Sequence, residues 1–263
     1  MIINKYFYFN VFKNLLAVDF QIFRENLFDK IIDLFTWVVC TLLIMGYVMP
    51  MLGLSNDYGI FQMAGLVASA GLFEIFPNVM NLISDFEGDK LISYELILPV
   101  PSWLIFIKLI TNYAASALIL ALIVIPMSKI ILWNQFDMTK ISIIPFILMM
   151  IIISIFYGVF TLLIASMVKT VQTIRKVWMR FLFPLWILGG FQFSWFILHK
   201  LVPNLAYLNL LNPITYVMEG LRAALLGQEG YIHYVYCILA LIIFSILFGY
   251  IAIARLKKRL DYV

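Results

Sequence analysis

A soluble chain of 263 residues would carry roughly a quarter charged residues, but here 12% are charged, 64% are hydrophobic and the mean hydropathy is +1.02. This excludes an ordinary water-soluble domain, because even a large core needs a charged surface to cover it. The formal net charge of +4 and the pI near 8.9 come from short basic clusters between apolar runs, so they read as topology signals and not as a nucleic-acid surface.

Residues 5–25 read as an amphipathic helix lying in the membrane interface. On a helical wheel Asn10, Lys13, Asn14, Gln21, Arg24 and Glu25 gather opposite Tyr8, Phe12, Leu15, Leu16, Ile22 and Phe23. Asp19 falls on the apolar side, where a partner subunit is one way to satisfy it. The N-terminus lacks the basic, apolar and small-residue layout of a cleavable signal.

Six stretches then reach the roughly 20 residues needed to cross the hydrocarbon. They run from 34 to 56, 58 to 84, 108 to 127, 141 to 168, 181 to 198 and 234 to 254. Pro145 and Pro184 fall near the starts of spans four and five, where proline is tolerated. Span two holds one ionisable group, Glu74, in the run Phe73-Glu74-Ile75-Phe76-Pro77. Pro77 loosens the backbone beside it, leaving a polar notch that reads equally as a path-lining group or as a carboxyl paired across an interface.

Basic residues test the layout, since cytoplasmic loops hold the excess. With the N-terminus inside, only Lys129, Lys140, Lys200 and Arg222 of the 18 fall outside. Both termini are therefore expected in the cytoplasm, with an even number of spans.

Residues 200–230 are too apolar for an ordinary loop and too short to span. Asn212 suits an N-cap, Pro213 the first helical position and Gly227 a left-handed stop. The helix they delimit is about 14 residues and about 21 Å long, best placed as a re-entrant or interfacial helix with 205–211 descending before it. Glu219 and Arg222, three residues apart on this helix, can neutralise each other there.

Several chemistries are missing. No GxxxxGK[ST] loop occurs, so ATP cannot be bound by that route. Cys40 and Cys237 lie far apart inside apolar runs, and His199 and His233 sit at run ends, without metal-ligand spacing. Glu74 is the one clear mid-membrane ionisable group, fewer than an ion-coupled carrier ordinarily holds. Such a carrier, or a membrane-embedded enzyme using Glu74 and His233, remains the alternative from another class.

Three stretches resemble the permeases of the type-2 ABC exporter superfamily, in the nodulation-factor and daunorubicin-type branch. They are ISYELILPVP at 92–101, PLWILGG at 184–190 and LNPITYVMEGLRAALLG at 211–227. The last is the most specific, with its Asn-Pro-hydrophobic-Thr-Tyr start, an Arg about nine residues on and a closing Leu-Gly. Where many relatives carry an acid in the first stretch this chain has Ser93, with Glu95 nearby.

The resemblance implies an all-α membrane domain over 1–263 that works as a homodimer or heterodimer with two cytoplasmic ATPase subunits, which would hold ATP and Mg. It implies export across a bacterial inner membrane of a lipid, glycolipid or hydrophobic drug-like compound, with no enzymatic activity in this chain. The loop 85–101 becomes the coupling element, carried by Phe86, Glu87, Asp89, Glu95 and Leu96. Glu74, Phe73, Phe76 and Phe191 become path residues, together with Trp186 and Phe193. Asn212, Pro213, Tyr216, Glu219 and Arg222 become the outer gate.

Overall fold

Apolar segments crossing a bilayer must satisfy their own backbone polar groups, which helices do internally. In the computed structural model, which describes residues 5–88, 90–133, 135–137, 139 and 141–260, the regular elements are helices. α1 covers Lys5–Glu25, and a single residue, Asn26, joins it to α2, Leu27–Met51. α3 covers Tyr58–Glu87, α4 Leu91–Ile97, α5 Ser102–Ile131 and α6 Ile143–Met167. α7, Val171–Phe191, is followed by α8, Trp195–Leu201, at 85° to it. α9, Pro203–Asn209, α10, Pro213–Leu226, and α11, Tyr234–Leu260, complete the chain.

α3 is the central helix. Its first half is rich in small residues, with Gly59, Ala64, Gly65, Ala68, Ser69, Ala70 and Gly71, and everything from Gln62 to Leu72 is buried. Small residues let neighbouring backbones approach closely, as where a Cβ on Gly59 would stand 2.7 Å from the Cα of Gly46 in α2. α2, α5, α6 and α10 all pack on α3, and α11 lies against α6 and α10. The Tyr157 hydroxyl of α6 donates to the Ala68 carbonyl over 2.8 Å, fixing α6 to the centre. At Glu74 the helix breaks, because the Pro77 ring cannot donate to the Phe73 carbonyl one turn earlier.

The helices run between two ends. The basic end gathers α1, α4, the start of α7 and the end of α11, where Arg259 donates to the Val168 carbonyl over 2.7 Å. The far end gathers α8, α9 and α10, with the Ser142 amide on the Ala224 carbonyl at 3.1 Å.

Span five differs from the sequence reading. α7 begins ten residues before Phe181, so Pro184 lies inside the helix, and its straight course stops at Phe191 instead of continuing to Leu198. A wide π-helical turn at Trp178–Leu182 just precedes Pro184, relieving the missing donor and the ring clash. The stop is set by Gly190, whose φ of 92° is cheap for glycine alone. α8 is therefore the first limb of the short far-end segment, which starts near residue 195 and not at 200. Span one also begins earlier than expected, at Leu27, which draws Asp29, Lys30 and Asp33 into the helix.

Candidate functional site

Three groups of residues hold the sequence-derived candidates, beginning with α4 at the basic end. Asp85 closes the turn before it, its carboxylate accepting from the amides of Leu91 at 2.8 Å and Ile92 at 3.0 Å. An acid placed there satisfies free amides and the positive end of the helix dipole. Lys90 makes the turn with a φ of 55°.

Glu95 points inward, so it is not an outward coupling charge. Both its oxygens accept from Lys108 Nζ of α5, at 2.7 and 2.8 Å, and the same ammonium pairs with Asp19 of α1 at 3.0 Å. Lys108 is 2% exposed, so three helices meet on one buried cation. Asp19 thus finds its partner within the chain, not in another subunit. Burial pushes the Glu95 carboxyl above its ordinary value; Lys108 opposes that push, and the nearby charges of Asp19 and Asp85 add to it.

With Glu95 turned in, the outer face of α4 is apolar: Tyr94 is 71% and Ile97 80% exposed, with Leu91 and Leu98 beside them. Of the other coupling candidates, Glu87 is exposed, Leu96 is half-buried, and Phe86 lies under the Arg259 guanidinium at 4.8 Å. Asp89 falls outside the described residues. Sequence reading passed over Tyr94 and Ile97, though their spacing with Leu91 places all three on one helical face.

The second group lies where α2, α3 and α7 converge. Trp37, Phe73, Trp178, Trp186 and Phe191 form a continuous aromatic cluster, with ring centroids 4.5 Å apart for Trp37 and Phe73, 5.4 Å for Phe73 and Trp178, and 4.3 Å for Trp186 and Phe191. Phe76 joins through Trp178 at 5.9 Å. The Trp186 indole donates to Ser69 Oγ over 2.7 Å, fixing its ring to α3. Trp186 and Phe191 are buried, whereas Trp37, Phe73, Phe76 and Trp178 keep partial exposure.

Glu74 sits below this cluster, buried and hydrogen-bonded to Lys30 of α2, whose ammonium also lies 5.2 Å from the Phe23 ring centroid. It is thus a carboxyl paired across a helix interface within one chain. His233, which the alternative reading joins to Glu74, caps α11 by accepting from the Val235 amide at 3.3 Å. Phe193 stands apart from the cluster, at the turn into α8.

The third group is the far-end segment. The Asn212 side chain accepts from the Ile214 amide at 3.0 Å, making it the N-cap of α10, and donates to the Leu185 carbonyl at 2.7 Å. Pro213 follows at the first helical position. The Tyr216 hydroxyl donates to the Leu210 carbonyl at 2.9 Å and Thr215 Oγ1 to the Asn209 carbonyl at 3.0 Å, so α9 and α10 are stitched together.

Glu219 and Arg222 approach only to 3.9 Å; their main partners are backbone groups. Arg222, fully buried, donates to the carbonyls of Gly190 at 2.6 Å, Phe191 at 2.8 Å and Phe193 at 3.2 Å, and stacks 3.6 Å above the Phe61 ring. Glu219 accepts from the amides of Trp195 at 3.0 Å and Ile232 at 3.2 Å. Arg222 thus closes the end of α7 while Glu219 holds the start of α8. The two charges replace the backbone partners lost where the helix breaks.

The family profile described as ABC-2 type transporter matches residues 11–226, which takes in all three groups and ends at the last residue of α10. The chain belongs to the ABC-2 type transporter family. It is accordingly a multi-pass transport permease domain, and membrane domains of this family work with separate ABC ATPase subunits. No curated protein matches the chain in sequence. Within this ABC-2 membrane domain, α11 lies beyond the matched stretch but packs along α6 and α10.

Proposed function

We propose that this chain is the membrane-spanning subunit of an ATP-driven exporter, acting as a dimer of permeases with two ATPase subunits bound at the basic end. The observation that carries this reading is the apolar outer face of α4. Tyr94 and Ile97 stand exposed on a short helix that Asp85 and Lys108 hold rigidly in place. Covering each such side chain is worth about 1.5–3 kcal/mol, and a braced helix transmits force instead of yielding to it. The basic end then lies in the cytoplasm, in agreement with the excess of Lys and Arg there, and ATP with Mg belongs to the partner.

Movement of α4 reaches α1 and α5 together through Lys108, because both carboxylates depend on one ammonium. The path runs along the face shared by α2, α3 and α7, where the partly exposed rings of Trp37, Phe73, Phe76 and Trp178 offer an apolar, polarizable wall. Such a wall suits a lipid, glycolipid or hydrophobic drug-like cargo leaving a bacterial cytoplasmic membrane. The test is reconstitution of the chain with its ATPase in vesicles, following ATP-dependent movement of fluorescent lipid and drug-like probes. Movement that persists without the ATPase refutes the exporter reading. Glu74→Gln leaves the Lys30 ammonium without its carboxylate, so it is expected to weaken the α2–α3 contact and lower the melting temperature as well as transport, and full activity would remove Glu74 from the mechanism.

A further inference from the structure

Trp37 of α2 and Trp178 of α7 stand on either side of Phe73, with ring centroids 4.5 and 5.4 Å from it. They are the walls of a groove whose floor is α3. Both helices run outward from the basic end, so Phe73 gives them a common height. Asp33 lies one turn, about 6 Å, to the cytoplasmic side of Trp37, and Arg175 three residues, about 4.5 Å, to the same side of Trp178. At about 100° per residue, each charge also falls past its tryptophan on the side away from the buried face of its helix, which Leu34 and Val38 mark in α2 and Ile174 in α7. Both are exposed. The groove therefore carries an acid on one shoulder and a base on the other, at the same level.

Neither charge has an ion-pair or hydrogen-bond partner among the described residues. Asp33 is the costly one. It stands about 27 Å along α2 from Met51, so the roughly 30 Å of hydrocarbon reaches back to it. Arg and Lys carry their charge to the headgroups on long stems, but a carboxylate on a single methylene stays where the helix puts it, and an unpaired charge at that depth is expensive.

We propose that two copies of the chain close groove against groove, with Asp33 of each paired to Arg175 of the other. A two-fold contact sets residue i on residue j and j on i, and one acid and one base at equal height on opposite shoulders are self-complementary in that sense. The charges select this occupant over the others at hand. An anionic lipid headgroup serves Arg175 but repels Asp33, and an ATPase held at α4 lies below this level. A second copy satisfies both charges at once. The two ion pairs then bridge the groove on the cytoplasmic side of the aromatic wall, at the inner mouth of the path. This inference rests on the dimer of the proposed function and names the residues that join it.

The test uses the full chain with its ATPase, made in a Cys40→Ala background as two differently tagged copies, one with Asp33→Cys and the other with Arg175→Cys. Oxidation in membranes should give a species of doubled mass carrying both tags, which a link inside one chain cannot produce. Asp33→Cys paired with Ile243→Cys, on the lipid face of α11, should give less. Separately, Asp33→Arg or Arg175→Asp alone puts like charges together and should lower the association constant of labelled chains in vesicles at least about tenfold. The double reversal Asp33→Arg with Arg175→Asp exchanges the charges and should restore it to within about threefold, which separates a lost pair from a lost fold. A dimer that forms without the cross-link, that single reversals leave unweakened, or that the double reversal does not restore overturns the proposal while the exporter reading keeps its dimer. A chain that stays monomeric beside its ATPase overturns that reading, and this inference with it.

Discussion

Replacing Arg222 by Met keeps the length and apolar stem of the side chain while removing the charge. The guanidinium makes three hydrogen bonds to the carbonyls that end α7 and lies on Phe61, and the residue is fully buried. Removing one member of a buried charge pair costs about 3–5 kcal/mol; here three carbonyls at the end of α7 lose their donor, and Glu219 keeps its two amide donors but loses the nearby positive charge. For a chain of this size, on the order of 2–4 °C of melting temperature follows each kcal/mol. Arg222→Met should therefore lower the detergent-solubilised melting temperature by on the order of 10 °C, read by size-exclusion recovery after heating. Arg222→Lys should fall between, since an ammonium cannot reproduce the planar fork or the ring stacking. Glu219→Gln added to Arg222→Met removes the stranded charge and should recover part of the loss, a coupling that a double-mutant cycle measures. A drop below about 2 °C for Arg222→Met would refute the view that this residue holds the broken span.

Lys108→Met strands Asp19 and Glu95 together and should destabilise the basic end more than either Asp19→Asn or Glu95→Gln, as judged by proteolysis between α4 and α5. Because burial raises the Glu95 carboxyl, the folded chain binds a proton more readily than the unfolded one. That contribution to stability is present below the ordinary value of 4.5 and is lost as pH rises through the elevated folded value. Glu95→Gln should thus flatten the pH dependence of the melting temperature on the side above the ordinary carboxyl value of 4.5, and an unchanged slope would contradict the assignment. Gly190→Ala forces a side chain into the left-handed region and should cost about 1–2 kcal/mol, again read as melting temperature. Ile97→Asp should leave folding intact and abolish co-purification of the ATPase; undiminished recovery would show that α4 is not the contact.

Legibility from sequence followed the range of the interaction. The capped helix at 213–226 was readable to the residue because Asn212, Pro213 and Gly227 act on their own neighbours. Glu74 was legible only as a notch, since Lys30, its partner, stands 44 positions earlier. Glu219 and Arg222 share a face by helical spacing alone, yet their strongest partners are backbone groups in the break after α7, which no local pattern announces. Glu95 looked like a surface charge within an acidic loop because Lys108 was counted among the flanks of span three. The clue lay in two misplaced opposites, Asp19 on an apolar face and Lys108 more than a turn inside an apolar helix.

What the amino-acid order determined by itself was the solvent and the secondary structure. Apolar runs of bilayer length can satisfy their amides in few ways, and short-range chemistry decides where each helix starts and stops. The tertiary structure alone decided which charges meet, where span five breaks, and which face of α4 remains uncovered. A buried ion's partner is selected by the cost of leaving it unpaired, and only assembled helices bring distant residues close enough for that cost to act.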